Sequence, residues 1–166
     1  MKNMLEGKRI LIVDDEPDVL ETLEESLSMC RISKASGFDQ ARHLLESQEF
    51  DFAILDIMGV DGYKLLEIAN SRNVISVMLT AHALSPADVA TSQREGAASY
   101  VPKAKMSEIA GVLNDILEAQ ETGKSSWWRW HERFGYYFQD KFRDDWISSG
   151  EAWKEHQVMK WEKYFH

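Results

Sequence analysis

Asp14, Asp15, Asp56, Thr80 and Lys103 are side chains that could do chemistry together, because each stands at or just beyond the end of a short apolar run. Asp14 and Asp15 follow ILIV, Asp56 follows FAIL, Thr80 follows VML, and Lys103 stands just past SYV. A single acid after such a run is most often a solvated loop residue. Three carboxylates brought to one place are different. They repel one another, and the arrangement is tolerable when a hard divalent cation or a cationic side chain stands among them. Mg2+ suits such a set, since it takes oxygen ligands and keeps several waters together with phosphate oxygens. A hydroxyl and an ammonium are the groups that would hold the remaining oxygens of a phosphoryl group.

Bringing these residues together requires a scaffold, and the apolar spacing supplies one. Lys8 to Val13, Arg31 to Ala35, Phe52 to Leu55, Val74 to Leu79 and Ala98 to Val101 read as strands. The run at Phe52 to Leu55 has no polar alternation, as expected of a strand covered on both faces. Between the strands, apolar residues recur at helical spacing. Val19, Leu20, Leu23 and Leu27 follow Pro17, in a helix running through Met29. Ala41, Leu44 and Leu45 follow Asp39, which is expected to be an N-cap. Tyr63 to Ala69 gives a third helix. Ser85 and Pro86 open a fourth that ends near Gly96. Ser107 and Glu108 open a fifth, with Ile109, Val112, Leu113, Ile116 and Leu117 on one side. Repeated β-α units with right-handed crossovers predict a doubly wound parallel sheet with helices on both faces. The strands' carboxyl ends then share the edge where such sheets bind ligands.

Length and composition narrow the rest. At 166 residues the chain has room for one domain with a real core and something extra. No apolar run approaches the about 18 residues of a membrane helix, and MKNMLEGKR does not resemble a signal peptide, so a soluble cytoplasmic protein is expected. The single Cys30 excludes an internal disulfide and makes a poor metal ligand by itself. Residues 1–123 carry 11 basic against 21 acidic side chains, and residues 124–166 carry 8 against 7. The acidic body argues against tight nucleic-acid binding. All six Trp follow residue 126, and TGKSS marks the change in composition. We place a boundary there, with a body at 1–123 and an aromatic-rich extension at 124–166.

Taken in order, ILIVDDEP at 10–17, ILD at 54–56, DG at 61–62, MLTA at 78–81 and SYVPK at 99–103 resemble the receiver domains of two-component response regulators. The resemblance spans roughly residues 7–121 and implies a flavodoxin-like α/β fold, a five-stranded parallel sheet of order 2-1-3-4-5. It implies that Asp56 is the phosphoacceptor, supplied by a histidine kinase or phosphotransfer protein. Asp15 is similar to the main Mg2+ ligand and Asp14 to its partner, with Asp56 and the Met58 backbone carbonyl completing the protein's share. Thr80 resembles the switch hydroxyl, Lys103 the lysine that pairs with the phosphoryl group, and Tyr100 the aromatic whose rotamer follows Thr80. Phosphoryl transfer of this kind asks for positioning and charge neutralisation more than for acid or base catalysis.

The sequence departs from the family pattern in two places. Only IMGV separates Asp56 from Asp61-Gly62, a loop about two residues short. Pro102 precedes Lys103 and Ala104 follows it, so no cis peptide is expected at 103–104 and Lys103 is expected to be freer than usual. His82, two residues past Thr80, falls near the expected rim of the site.

In the extension, Trp146, Trp153, Trp161 and Tyr164 lie at intervals of 7, 8 and 3, close to one face of a helix. This predicts a helical appendage packed on the receiver or on a second copy as a homodimer contact, with its docking altered by phosphorylation. The alternative is an unfamiliar nucleic-acid module that stacks bases on its aromatics. An enzyme resembling haloacid-type phosphatases would need an Asp two residues after the nucleophile, where Met58 stands. A signalling domain acting through protein contacts, with no recognisable DNA-binding output, is therefore expected.

Overall fold

The structure, a computed structural model, describes residues 4–81, 86–135 and 137. Strands β1 (Arg9–Val13), β2 (Arg31–Ala35), β3 (Phe52–Asp56), β4 (Ile75–Thr80) and β5 (Ser99–Pro102) alternate with helices. These are α1 (Pro17–Ser26), α2 (Phe38–Ser47), α3 (Gly62–Ser71), α4 (Pro86–Arg94) and α5 (Ile109–Thr122). A 3-10 segment, Lys103–Glu108, joins β5 to α5, and a further helix, α6, covers 126–135. All strands pair in parallel in the order β2-β1-β3-β4-β5. This is the doubly wound order the resemblance implies, with α1 against α5 and α2 against α3.

The burial follows from that order. In β3, between β1 and β4, every residue from Phe52 to Asp56 is buried. The edge strand β2 shows exposed Arg31 and Lys34 and buries only Ala35. The helices bury the stripes their spacing gave: Val19 and Leu23 in α1, Leu65, Leu66 and Ala69 in α3, and Ile109, Val112, Leu113 and Ile116 in α5.

Local details differ from the sequence expectation. Helix α2 begins two residues earlier than expected, with Gly37 at its N-cap, so Asp39 lies in its first turn and interacts with the helix dipole instead of capping it. Helix α1 stops at Ser26, with Leu27 already outside helical geometry. Ser107 and Glu108 belong to the 3-10 segment rather than opening α5. Ser85 lies outside the described residues.

Helix α6 closes the outer edge of β5. Ser126 Oγ donates to the Ala98 carbonyl at 2.8 Å, Trp127 Nε1 to Ala97 at 2.9 Å and Trp130 Nε1 to Tyr100 at 2.7 Å. Trp127, Trp130 and Phe134 join the same apolar cluster as α5 and β5. At the helix surface, Arg133 pairs with Asp115 at 2.7 Å and Glu108 at 3.3 Å, and Arg129 pairs with Glu118 and Glu132. The first helix of the extension thus packs on the body in cis. Trp146, Trp153, Trp161 and Tyr164 lie outside the described residues.

Candidate functional site

Parallel strands end their hydrogen-bond ladders at the carboxyl edge, and the chain must leave the sheet there. Asp14 follows β1 directly, its amide donating to Ala35 O at 3.1 Å and its Oδ1 accepting from the Glu16 amide at 2.9 Å. Asp56 closes β3, in register with Leu79. Thr80 closes β4 opposite Pro102, and Lys103 begins the 3-10 segment one residue later. Asp14, Asp56 and Thr80 are buried, at 0%, 3% and 4% exposure.

Lys103 holds the carboxylates together. Its Nζ lies 2.8 Å from Asp14 Oδ2, 3.5 Å from Glu16 Oε1 and 3.6 Å from Asp56 Oδ1. The expected looseness of Lys103 is not what the structure has: three acids anchor the ammonium. Burial disfavours its charge, but the hydrogen bond and charge of Asp14, with Asp56 and Glu16 behind, raise its pKa. Asp56 is pushed up to about 6, by burial first and by the charge of Asp14 next, with Lys103 opposing and Asp15 and Glu16 adding repulsion. Asp14 is also raised, by burial, against the pull of Lys103 and the Glu16 amide.

One ammonium does not neutralise the carboxylates around it. Asp14, Asp15 and Glu16 each offer an oxygen, all within 4.8 Å of one another. That donor set is all carboxylate oxygen and carries excess negative charge, so it fits a hard divalent cation such as Mg2+. Glu16 was missed in the sequence because it reads as the start of a helix. Its place immediately after two acids was the available signal.

The loop after Asp56 is tight. Met58 turns its side chain outward at 60% exposure, while Val60 turns in at 1%. Asp61 adopts a left-handed conformation, and a Cβ on Gly62 would stand 2.2 Å from the Asp56 carbonyl oxygen.

Tyr100 is fully buried on β5, with the Thr80 side chain as its hydrogen-bonding neighbour. Burial raises its pKa, and the Asp88 charge adds to that. Asp88, in the first turn of α4, also meets Tyr63 of α3, whose hydroxyl donates to the Asp88 carbonyl at 3.3 Å and lies 3.4 Å from Ser92 Oγ. Tyr63 and Asp88 were not singled out in the sequence, because contacts between helices leave no short motif. His82 lies outside the described residues. A groove at the opposite, amino-terminal edge of the sheet is lined by Arg9, Asp51, Arg72 and neighbours. Two of its polar side chains are engaged: Asp51 accepts from the Arg9 amide, and Arg72 bonds the Leu45 and Glu46 carbonyls.

Acids, a hydroxyl and a lysine thus share the carboxyl edge of a doubly wound sheet, the arrangement of a signalling module. The comparisons make the class specific. Residues 10–114 match the response regulator receiver domain model, and the chain belongs to that family. It is similar to the two-component response regulator ARR2 of Arabidopsis thaliana, 30% identical over 80% of this chain and 20% of that protein. It is also similar to the probable transcriptional regulator ycf27 of Guillardia theta, 39% identical over 68% of this chain and 48% of that protein. Among solved structures, a CheY-like receiver domain protein from Methanospirillum hungatei JF-1 is 25% identical, with a TM-score of 0.63, covering 70% of this chain and 98% of that one. The chain spans about half the length, or less, of these curated relatives. Among the described residues, no helix is long and apolar enough to cross a membrane.

Proposed function

We propose that this chain is the phosphoacceptor of a two-component pathway, with Asp56 taking a phosphoryl group from a histidine kinase or phosphotransfer protein. The observation that carries this is Asp56 itself, buried at the sheet's carboxyl edge with Lys103 3.6 Å from its Oδ1. A carboxylate oxygen of Asp56 attacks phosphorus, the P–N bond to the donor imidazole breaks, and the ring leaves with the electron pair. The product is an acyl phosphate. With a pKa of about 6, Asp56 is mostly ionised at neutral pH and available for attack.

Lys103 is placed to neutralise charge gathering on the phosphoryl oxygens. The Thr80 hydroxyl bonds the transferred group, and Tyr100 follows Thr80. Asp14, Asp15, Asp56 and the Met58 carbonyl would hold Mg2+, with Glu16 close by, and the cation would supply further charge neutralisation. The chain turns nothing over beyond accepting and slowly losing this group. It works in the cytoplasm through protein contacts.

Residues 1–123 form the receiver and 124–166 its extension, and α6 is the first element to feel the change. Tyr100 links the two, since its hydroxyl faces Thr80 while its carbonyl accepts from Trp130. The indoles of Trp127 and Trp130 are buried against β5 and so are not free to stack on bases, which weighs against a nucleic-acid role for this part of the extension.

Incubation with Mg2+ and acetyl phosphate should add one phosphoryl mass, lost in Asp56→Ala, and should shift tryptophan emission in the same sample. No mass gain from any donor would refute the proposal. A mass gain with unchanged emission would refute only the role of α6.

A further inference from the structure

The loop Ile57 to Asp61 passes directly over the metal-binding acids, and one of its residues approaches a carboxylate closely. A Cβ built on Gly59 would stand 2.7 Å from Asp15 Oδ2, 3.0 Å from Cγ and 3.1 Å from Oδ1. All three atoms belong to the carboxylate, so the face of Gly59 lies flat against it. The backbone at Gly59 has φ +85, a conformation that side-chain-bearing residues rarely adopt. Two features with different causes therefore require the same residue. The short connection demands the turn, and the contact with Asp15 demands the missing side chain.

We infer that Gly59 is a positioning residue for the cation site: its bare backbone forms the wall against which the Asp15 carboxylate is set. Asp15 is exposed, and among the described residues no hydrogen bond or ion pair fixes its carboxylate, unlike Asp14, which the Lys103 ammonium and the Glu16 amide hold. A side chain at 59 displaces the carboxylate or the loop, and either movement spoils the oxygen set that Asp14, Asp15 and Glu16 present. The shortened loop is thus adapted to its length, because it supplies in backbone contact what a longer excursion would leave open. The inference rests on the Mg2+ reading above, and its test separates the two.

Mg2+ affinity of the full chain is measured by titration calorimetry, and thermal melting is measured in chelator, for wild type, Gly59→Ala and Gly7→Ala. Gly7 also has positive φ, +78, but a Cβ there meets nothing within 4 Å, so it reports backbone strain alone. Gly59→Ala should lose about 10–100-fold in Mg2+ affinity, the usual cost of removing a support behind a ligand. Gly7→Ala should keep wild-type affinity. Equal affinity in wild type and Gly59→Ala, or equal loss in both variants, overturns the inference.

A metal-free arm decides the remaining outcomes. Failure of wild type to bind Mg2+ would sink the cation reading, and an unfolded Gly59→Ala would leave no titration to read. In either case Gly59→Ala is made in an Asp15→Ala background and melted in chelator. Recovery of stability upon loss of the carboxylate supports the contact, and strictly additive losses overturn it.

Discussion

Strand β5 borders two unlike regions. At its carboxyl end, one ammonium faces the carboxylates of Asp14, Glu16 and Asp56, and Asp56 is held well above the usual carboxylate range. Alongside it, the Ala97 and Ala98 carbonyls just before the strand and the Tyr100 carbonyl within it receive three side-chain donors from α6, and the indoles that donate are buried in apolar contact. The first region retains unbalanced charge in a dry place; the second leaves its polar groups matched. Buried polar groups that are fully satisfied make a structure rigid, and those that are not are poised to bind or react. A few residues apart, the same strand serves stability on one side and reactivity at its end.

Substitutions in the two regions should therefore move stability in opposite directions. The largest effect is expected at the cap. Trp130→Ala removes a buried indole and strands the Tyr100 carbonyl, and should cost about 3–5 kcal/mol in urea unfolding. A loss under about 1 kcal/mol would mean that α6 is an ornament on the edge and that the contrast is false.

At the site the sign reverses. Asp56→Asn removes a buried negative charge and its repulsion with Asp14 and Asp15, and should stabilise the metal-free chain at pH 7 by on the order of 3 kcal/mol. The folded chain binds the Asp56 proton more tightly than the unfolded chain, where the carboxyl has its ordinary pKa of 3.8. Wild type therefore gains stability as pH falls from 7 through about 6, and the advantage of Asp56→Asn disappears by about pH 4. Melting temperatures of both proteins across that range check it. An advantage that stays constant with pH would show that Asp56 is not held charged against its surroundings.

The smallest effect separates the two parts of the cap. Arg133→Ala breaks pairs with Asp115 and Glu108 at the partly exposed α5–α6 surface. It should cost about 1 kcal/mol or less at low salt, and less at high salt. A salt-independent cost as large as that of Trp130→Ala would move the stability of the cap from its apolar contacts to its charges.

Much of this was legible in the sequence because of how parallel sheets are built. A strand covered on both faces appears as an uninterrupted apolar run, so the end of Phe52–Asp56 marked the edge of the sheet and put Asp56 on it. The same held for Asp14, Thr80 and Lys103. Glu16 was hidden because a residue preceding a helix reads as helix, although its side chain reaches back to Lys103. Tyr63 and Asp88 meet only once α3 and α4 are packed, which no local pattern records. The cap shows a different failure. Trp127, Trp130 and Phe134 fall at i, i+3 and i+7, the spacing of a buried helical stripe. The change in composition falls at 123, although the core continues through Phe134.

The cap also fixes how far the sheet can extend. A strand docking on another both donates and accepts, so each addition presents a fresh edge to the next chain. An indole has a donor and no acceptor. Trp127 and Trp130 therefore act on the β-ladder as a chain terminator acts on a growing polymer: each occupies the reactive end and offers nothing to which another unit can attach.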